Sequence, residues 1–290
     1  MPNQTHYSRR SPEVQASRST WNPPQGVLGR IIGQARSLVS GISAARRAEL
    51  ERDAARLAAA PAFADALRAG DSIAVIAEVK RRSPSRGEIN PSLSAADQAL
   101  AYAAGGAAAI SVLTEREHFG GSLADLAEVR ATVAIPLLRK DFVVDRTQLW
   151  EARLAGASAA LLIARAIPPA ELTALAGEAR AIGLEPLIEV RSEGELDAAM
   201  AAGTRVVGVN QRDLETLAVD PRVTARLLPL VPAGVVAVSE SGIRSRADVE
   251  RAAASGADAV LVGTVLSAAA DPAAALRELA SVKRGARRAH

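Results

Sequence analysis

The stretch GASAALLI at residues 156–163 joins a glycine and small residues to a continuous apolar run. The same junction occurs as GGAA at residues 105–108 and as GADA at residues 256–259, each time after an Ala-rich helical pattern. Glycine at that place suits a left-handed helix C-cap, and an uninterrupted apolar run suits a strand buried on both faces of a parallel sheet. The junction therefore predicts a repeated unit of helix followed by strand.

Short apolar runs alternate with Ala-rich, charged helical patterns from Ser72 onward. Eight runs occur, at residues 72–80, 107–114, 135–143, 158–165, 184–190, 205–212, 235–242 and 259–266. Eight strand–helix units in about 200 residues predict an α/β protein of the TIM (β/α)8 barrel class. An open doubly wound sheet would instead need a glycine-rich phosphate loop after its first strand, where this chain has EVKRRSP at residues 78–84.

The chain is predicted to have four segments. Residues 1–26 form a disordered polar leader, residues 27–70 an N-terminal helical segment, residues 71–282 the barrel and residues 283–290 a basic tail. The leader and the helical segment are rich in arginine, but no cleavage signal is visible and no apolar stretch is long enough to cross a bilayer. We therefore expect a cytoplasmic protein with no membrane partner.

Composition excludes several kinds of functional site. The chain has no cysteine, and its three histidines are His6, His118 and His290. Disulfides, thiol nucleophiles and zinc sites built from cysteine or several histidines are therefore not expected. Aromatic residues make up 2% of the chain, too few for the stacking platforms on which nucleic-acid bases are held.

The positive net charge lies at the chain ends. Of the formal +3, the first 24 residues contribute +2 and residues 283–290 contribute +4, so the part between them carries −3. A mildly acidic body is not typical of a nucleic-acid-binding surface, and we expect no nucleic-acid partner.

Charged side chains recur where the predicted strands end. In a TIM barrel these carboxyl ends surround the active site, so we expect the side chains to lie together. The charged ones are Glu78, Lys80, Lys140, Glu189, Arg212 and Glu240, and Asn210 adds an amide. A single charge at a strand end is often only a solvated terminus, but burying this many charges is costly unless they have partners or a chemical role. Lysines beside carboxylates are candidate general acids and bases.

The last two predicted strands end in small residues. Ser241-Gly242 and Gly263-Thr264 offer backbone N–H groups at the places where this fold commonly holds a phosphate. Either pair alone could be an ordinary turn. Two pairs at the expected strands predict a phosphate site.

The motifs on successive strands resemble one enzyme family. Residues 76–87, IAEVKRRSPSRG, closely resemble the signature of indole-3-glycerol-phosphate synthase, an enzyme of tryptophan biosynthesis. The resemblance continues, in order, through SVLTE at 111–115, FGGSL at 119–123, LRKDF at 138–142, EAR at 151–153, EV at 189–190, NQRDL at 210–214 and VSESGI at 238–243. It covers about residues 28–270.

The resemblance implies a fold and a reaction. The N-terminal helices, here residues 27–70, would cap the carboxyl-terminal face of the barrel. The reaction would close 1-(2-carboxyphenylamino)-1-deoxyribulose 5-phosphate to indole-3-glycerol phosphate, with loss of CO2 and water. The small phosphorylated substrate would be the partner, and no cofactor or metal would take part.

The resemblance also implies catalytic roles. Lys140 would protonate the ribulose carbonyl oxygen as the aromatic ring carbon attacks, and Glu189 would be the base of the later dehydration. Lys80 would meet the substrate carboxylate and take part in proton transfer, with Glu78 orienting it.

Other residues are implied in binding. Ser83, Phe142, Asn210, Arg212 and Glu240 would contact the substrate, while Ser241, Gly242, Gly263 and Thr264 would hold its phosphate. Gln211 and Thr264 depart from the residues more familiar in this family, but a backbone donor and a hydroxyl remain at position 264.

Two other functions compete with this one. Another phosphosugar barrel, such as the isomerase that acts on phosphoribosylanthranilate, relies on a Cys/Asp pair that this chain does not have. A catalytically inactive scaffold barrel would have no need of the charged set at the strand ends. We expect a monomer, and the sequence leaves open whether it associates with other enzymes of tryptophan synthesis.

Overall fold

A closed barrel of eight parallel strands forms the centre of the computed structural model, which describes residues 21–285. The strands are β1 Ala74–Val79, β2 Ala109–Leu113, β3 Leu137–Lys140, β4 Ala159–Ile163, β5 Glu185–Val190, β6 Val206–Asn210, β7 Val236–Glu240 and β8 Ala259–Val262. They pair in chain order, and β8 pairs with β1. The predicted TIM barrel is confirmed.

Each strand lies inside one of the predicted apolar runs. The largest difference is at the last run, where β8 ends at Val262 and residues Thr264–Ser267 form a short helix. A run of apolar residues does not by itself distinguish a buried strand from a buried helical turn.

In the part of the chain that the structure describes, one helix lies between each pair of successive strands, and two more follow β8. They are α4 Ala95–Ala104, α5 Leu123–Thr132, α6 Arg146–Leu154, α7 Pro169–Ala181, α8 Glu193–Ala201, α9 Arg222–Leu227, α10 Arg246–Ala254, α11 Thr264–Ser267 and α12 Pro272–Ala280. A 3-10 turn, Leu228–Leu230, follows α9. Ser or Asp side chains accept from the first-turn N–H groups of many of them, which fixes where these helices begin.

Three N-terminal helices precede the barrel and lie at different places. Helix α1 (Gly26–Ser40) contributes Val27 and Ile31 to the cavity at the carboxyl ends of the strands. Helix α2 (Ala44–Ala55) packs through Leu50 and Ala54 against Trp150 of α6.

Helix α3 (Phe63–Arg68) lies at the opposite end of the barrel. Its Arg68 donates to the carbonyl of Gly234, which precedes β7, and its Asp65 lies 3.9 Å from Arg205, which precedes β6. Helix α1 therefore lies over the mouth, while α3 covers the amino end.

The start of the predicted basic tail contacts the barrel. Lys283 bridges Ser72 through its backbone, and Arg284 donates its backbone N–H to Asp71. Residues 286–290 of that tail, and residues 1–20 of the predicted leader, lie outside the described residues.

Among residues 21–285, no helix is both long and apolar enough to cross a membrane.

Candidate active site

A cavity of about 580 Å³ opens at the carboxyl ends of the strands. Every site residue predicted from the sequence lines it. These residues are Glu78, Lys80, Ser83, Lys140, Phe142, Glu189, Asn210, Arg212, Glu240, Ser241, Gly242, Gly263 and Thr264. Because parallel strands end at one edge of the barrel, side chains far apart in sequence meet there.

Lys140 ends β3 and lies between two carboxylates. Its Nζ is 3.3 Å from Oε2 of Glu189 and 3.3 Å from Oε2 of Glu240, and its side chain is 14% exposed. Burial alone would lower the pKa of Lys140, but the charges of Glu240, Glu189 and Glu78 outweigh burial and raise that pKa above its usual value. Lys140 is therefore held as an ammonium ion.

Glu240 ends β7 and is a buried carboxyl group, 1% exposed. Burial raises its pKa to about 8; the nearby Glu189 acts in the same direction, and Lys140 opposes it. Gly208 of β6 makes room for this group, because a Cβ there would overlap Oε1 of Glu240. Glu240 is therefore a buried member of the cavity lining, beside Lys140.

Glu78 and Lys80 form a second pair at the end of β1. They are two residues apart on one face of the chain, and Lys80 Nζ donates to Glu78 Oε1 at 2.7 Å. Burial would raise the pKa of Glu78, but Lys80 and Lys140 lower it overall, so the group is ionised. A Cβ at Gly263 would overlap Oε1 of Glu78, so the glycine at the end of β8 makes room for the carboxylate of β1.

Asn210 links Glu189 to Arg212 at the end of β6. Its Nδ2 donates to Glu189 Oε1 at 2.9 Å, and its Oδ1 accepts from the backbone N–H of Arg212 at 2.9 Å. The guanidinium of Arg212 donates to the carbonyl of Leu217 at 2.8 Å. Asn210 therefore orients the carboxylate of Glu189 as well as lining the cavity.

The loops after β7 and β8 form one wall of the cavity. Ser241 and Gly242 both have left-handed backbone, with φ of 64° and 75°. A Cβ at Gly242 would lie 2.7 Å from Oε1 of Gln211. Both the left-handed φ and this lack of space favour glycine at position 242. Gly263 and Thr264 face the same space at the start of α11.

Ser83 lies in a small hairpin formed by Arg82–Ser83 and Gly87–Glu88. Its hydroxyl is buried and has no hydrogen-bond partner among the described residues. A buried hydroxyl without a partner is costly, and a polar ligand in the cavity would satisfy it.

Among the lining residues that sequence reasoning did not single out, three have side chains suited to binding an aromatic, anionic ligand. Phe119, on the loop after β2, lies 6.1 Å from Phe142 between ring centroids, at an interplanar angle of 40°. Of the chain's three phenylalanines, Phe63 is buried at the other end of the barrel, so the cavity holds both of the others. That scarcity was a signal available in the sequence.

The other two of these residues are Arg86 and Arg244. Both are exposed and line the cavity with Arg212. Burial lowers the pKa of Arg212, and the charges of Arg86 and Arg244 lower it further, so the three cations share one region. Such a region favours anions.

The fold and these side chains define a TIM-barrel enzyme with two lysine–carboxylate centres and a cationic mouth. A family model described as indole-3-glycerol phosphate synthase matches residues 28–279. The chain belongs to the indole-3-glycerol phosphate synthase family, as the sequence motifs predicted.

Curated relatives support the same assignment. An indole-3-glycerol phosphate synthase of Opitutus terrae is 51% identical over 224 residues, which cover 75% of this chain and 84% of the relative. Indole-3-glycerol phosphate synthase 1 of Streptomyces coelicolor is 50% identical over 231 residues, covering 80% and 86% of the two chains.

Solved structures of low identity share the fold alone. A thiamine phosphate pyrophosphorylase from Pyrococcus furiosus superposes with a TM-score of 0.53 at 17% identity, covering 71% of this chain and 93% of that one.

Proposed function

We propose that this chain closes the indole ring of 1-(2-carboxyphenylamino)-1-deoxyribulose 5-phosphate, releasing CO2 and water to give indole-3-glycerol phosphate. The observation that supports this most is Lys140, an ammonium ion held 3.3 Å from both Glu189 and Glu240 in the same cavity as the Lys80–Glu78 pair. The substrate has a carboxylate, a reactive carbonyl and a phosphate, and the cavity offers a group of suitable chemistry for each.

The two ends of the substrate are anionic and set its direction. The phosphate would lie against the loops after β7 and β8, at Ser241, Gly242, Gly263 and Thr264, where backbone N–H groups meet the start of α11. At the other end, the carboxylate would meet Lys80 and Arg212, and the aromatic ring would pack near Phe119 and Phe142.

Ring closure needs a proton at the carbonyl oxygen. The ring carbon that bears the carboxylate attacks the carbonyl carbon, and Lys140 gives its proton to the oxygen as that oxygen becomes an alkoxide. A strongly held proton is still transferred here, because an alkoxide is more basic than the lysine amine. The C–C bond to the carboxylate then breaks, its electron pair restores the aromatic ring, and CO2 leaves.

Dehydration needs a base. The new hydroxyl leaves as water after it accepts a proton, which Lys80 would supply, and the neighbouring carbon bonded to nitrogen loses a proton as the last double bond of the indole forms. Glu189 would accept that proton, since Asn210 holds one of its oxygens and Lys140 lies beside the other.

A turnover assay tests the proposal. The purified chain is incubated with the substrate, and indole fluorescence and CO2 release are followed together. We expect both to appear at equal rates without any added cofactor. Substrate binding with no turnover would contradict the proposal and would support a scaffold barrel instead.

A further inference from the structure

The carboxylate of Glu115 is enclosed by the backbone of its own loop. Glu115 follows β2, and its side chain is 14% exposed. Its Oε2 accepts the N–H groups of His118 at 2.7 Å and Phe119 at 3.0 Å, while its Oε1 accepts that of Glu117 at 3.0 Å. Three consecutive backbone donors thus depend on one side chain.

The start and the end of this loop lie against each other. The N–H of Gly121 donates to the carbonyl of Glu115 at 2.9 Å. A Cβ at Gly121 would overlap the carbonyl of Leu113, so only glycine lets the chain return this close to the end of β2. The loop therefore has one compact conformation with the carboxylate at its centre.

This conformation places Phe119 in the cavity. Phe119 lines the mouth and faces Phe142 across 6.1 Å. Without the carboxylate, the three N–H groups would lose their common acceptor and the loop would open to find water or other partners. The position of the Phe119 ring would then no longer be fixed.

We infer that Glu115 is a positioning residue that sets the aromatic wall of the cavity through Phe119, and so sets affinity for the aryl end of the ligand. This inference rests on the proposed function, which supplies an aryl substrate. The simpler explanation is that Glu115 only stabilises a loop, in which case its loss would lower thermal stability and leave substrate affinity unchanged.

Two variants separate these explanations. Glu115→Ala removes the acceptor, and we expect KM to rise about tenfold with kcat within about twofold, because an aromatic contact to the substrate is lost equally from the ground and transition states. Glu115→Gln keeps one acceptor oxygen and should give an intermediate KM. If the alanine variant folds poorly, the KM of Glu115→Gln tests the inference in its place.

The control is Glu117→Ala, in the same loop. It removes the same charge from an exposed side chain that hydrogen-bonds only Gln34 among the residues described. We expect its KM and kcat to match those of the wild type. A KM that rises as far as in Glu115→Ala would overturn the inference, because charge alone would then explain the effect.

A double-mutant cycle tests the route through Phe119. Phe119→Ala should raise KM, and adding Glu115→Ala to it should change KM no further. Independent, multiplying effects would overturn the inference, as would a lower Tm with unchanged KM. Wild-type turnover is measured first: its absence argues against the proposed function, and the same cycle is then scored on binding of anthranilate, which tests the positioning role separately.

Discussion

Lys140 and Lys80 lie in one cavity but have different carboxylate partners. Lys140 has ion pairs to Glu189 and Glu240, whereas Lys80 pairs with Glu78. We expect Lys140→Met to lower kcat by about 10²–10⁴-fold with little change in substrate affinity, since it removes the proton donor and keeps most of the side-chain volume. Lys80→Met should also weaken binding, because the substrate carboxylate loses a charged partner.

Steady-state kinetics and thermal melts on both lysine variants check this assignment. Lys140→Met removes the cation beside the buried carboxyl groups of Glu189 and Glu240, so its Tm must be measured beside its kcat. A folded Lys140→Met protein with nearly wild-type kcat would show that Lys140 is only part of a structural ion pair.

The buried carboxyl group of Glu240 makes stability depend on pH. Its pKa rises from the ordinary 4.5 to about 8, so between these values the folded chain binds a proton that the unfolded chain does not. The contribution of Glu240 to the free energy of unfolding therefore falls as pH rises through this window. Glu240→Gln cannot ionise, and its Tm relative to the wild type should increase from about pH 5 to about pH 9. Parallel Tm curves for the two proteins would contradict this.

At the scale of elements, a glycine at one strand leaves the space that a carboxyl group on the adjacent strand occupies. A side chain at Gly263 would displace the carboxylate of Glu78, which is buried and tied to Lys80. We therefore expect Gly263→Ala to lower kcat/KM at least about tenfold through the Glu78–Lys80 pair, in addition to any loss of phosphate contact.

Gly177→Ala is the matched control for Gly263→Ala. Gly177 lies inside helix α7, and a Cβ there has no neighbour within 4 Å. This substitution should leave kinetics unchanged and stabilise the chain by about 0.5–1 kcal/mol. If Gly263→Ala had the same kcat/KM as Gly177→Ala, displacement of the Glu78 carboxylate would have no effect on catalysis.

How much of the site could be predicted depended on where each residue lies in an element. Lys140, Glu189 and Glu240 follow directly from strand periodicity, because the end of a parallel strand fixes which edge of the barrel a side chain reaches. Phe119 and Arg244 lie on loops, and their distance from the cavity depends on how the loop folds back. Glu115 fixes that path for Phe119 by hydrogen bonds that no periodicity reports.

The surroundings of a buried polar group could not be predicted either, because they come from parts of the chain that are distant in sequence. The sequence placed Glu240 among the substrate-binding residues. Its surroundings, Lys140 and the space left by Gly208, come from two other strands. The last apolar run has a similar difficulty: it includes both strand β8 and helix α11, and the apolar pattern does not mark where the strand ends and the helix begins.

Over the whole molecule, the cationic mouth opposes the charge of the body. The chain between residues 24 and 283 carries −3, which repels a substrate with a carboxylate and a phosphate. Arg86, Arg212 and Arg244 line the cavity, and the guanidinium groups of Arg86 and Arg244 form no ion pair among residues 21–285. Their positive charges offset that repulsion at the mouth of the cavity.

This arrangement predicts how KM depends on salt. Exposed charges contribute modestly, so Arg244→Met should raise KM about two- to fivefold at low ionic strength with kcat unchanged. Near physiological salt, where the screening length is about 8 Å, the difference from wild type should shrink. Arg277→Met is the matched control, because Arg277 is exposed on α12 and does not line the cavity. KM is measured against ionic strength for the wild type and both variants. If KM depended on salt equally in the two variants, the change in KM would come from net charge and not from the position of Arg244 at the mouth of the cavity.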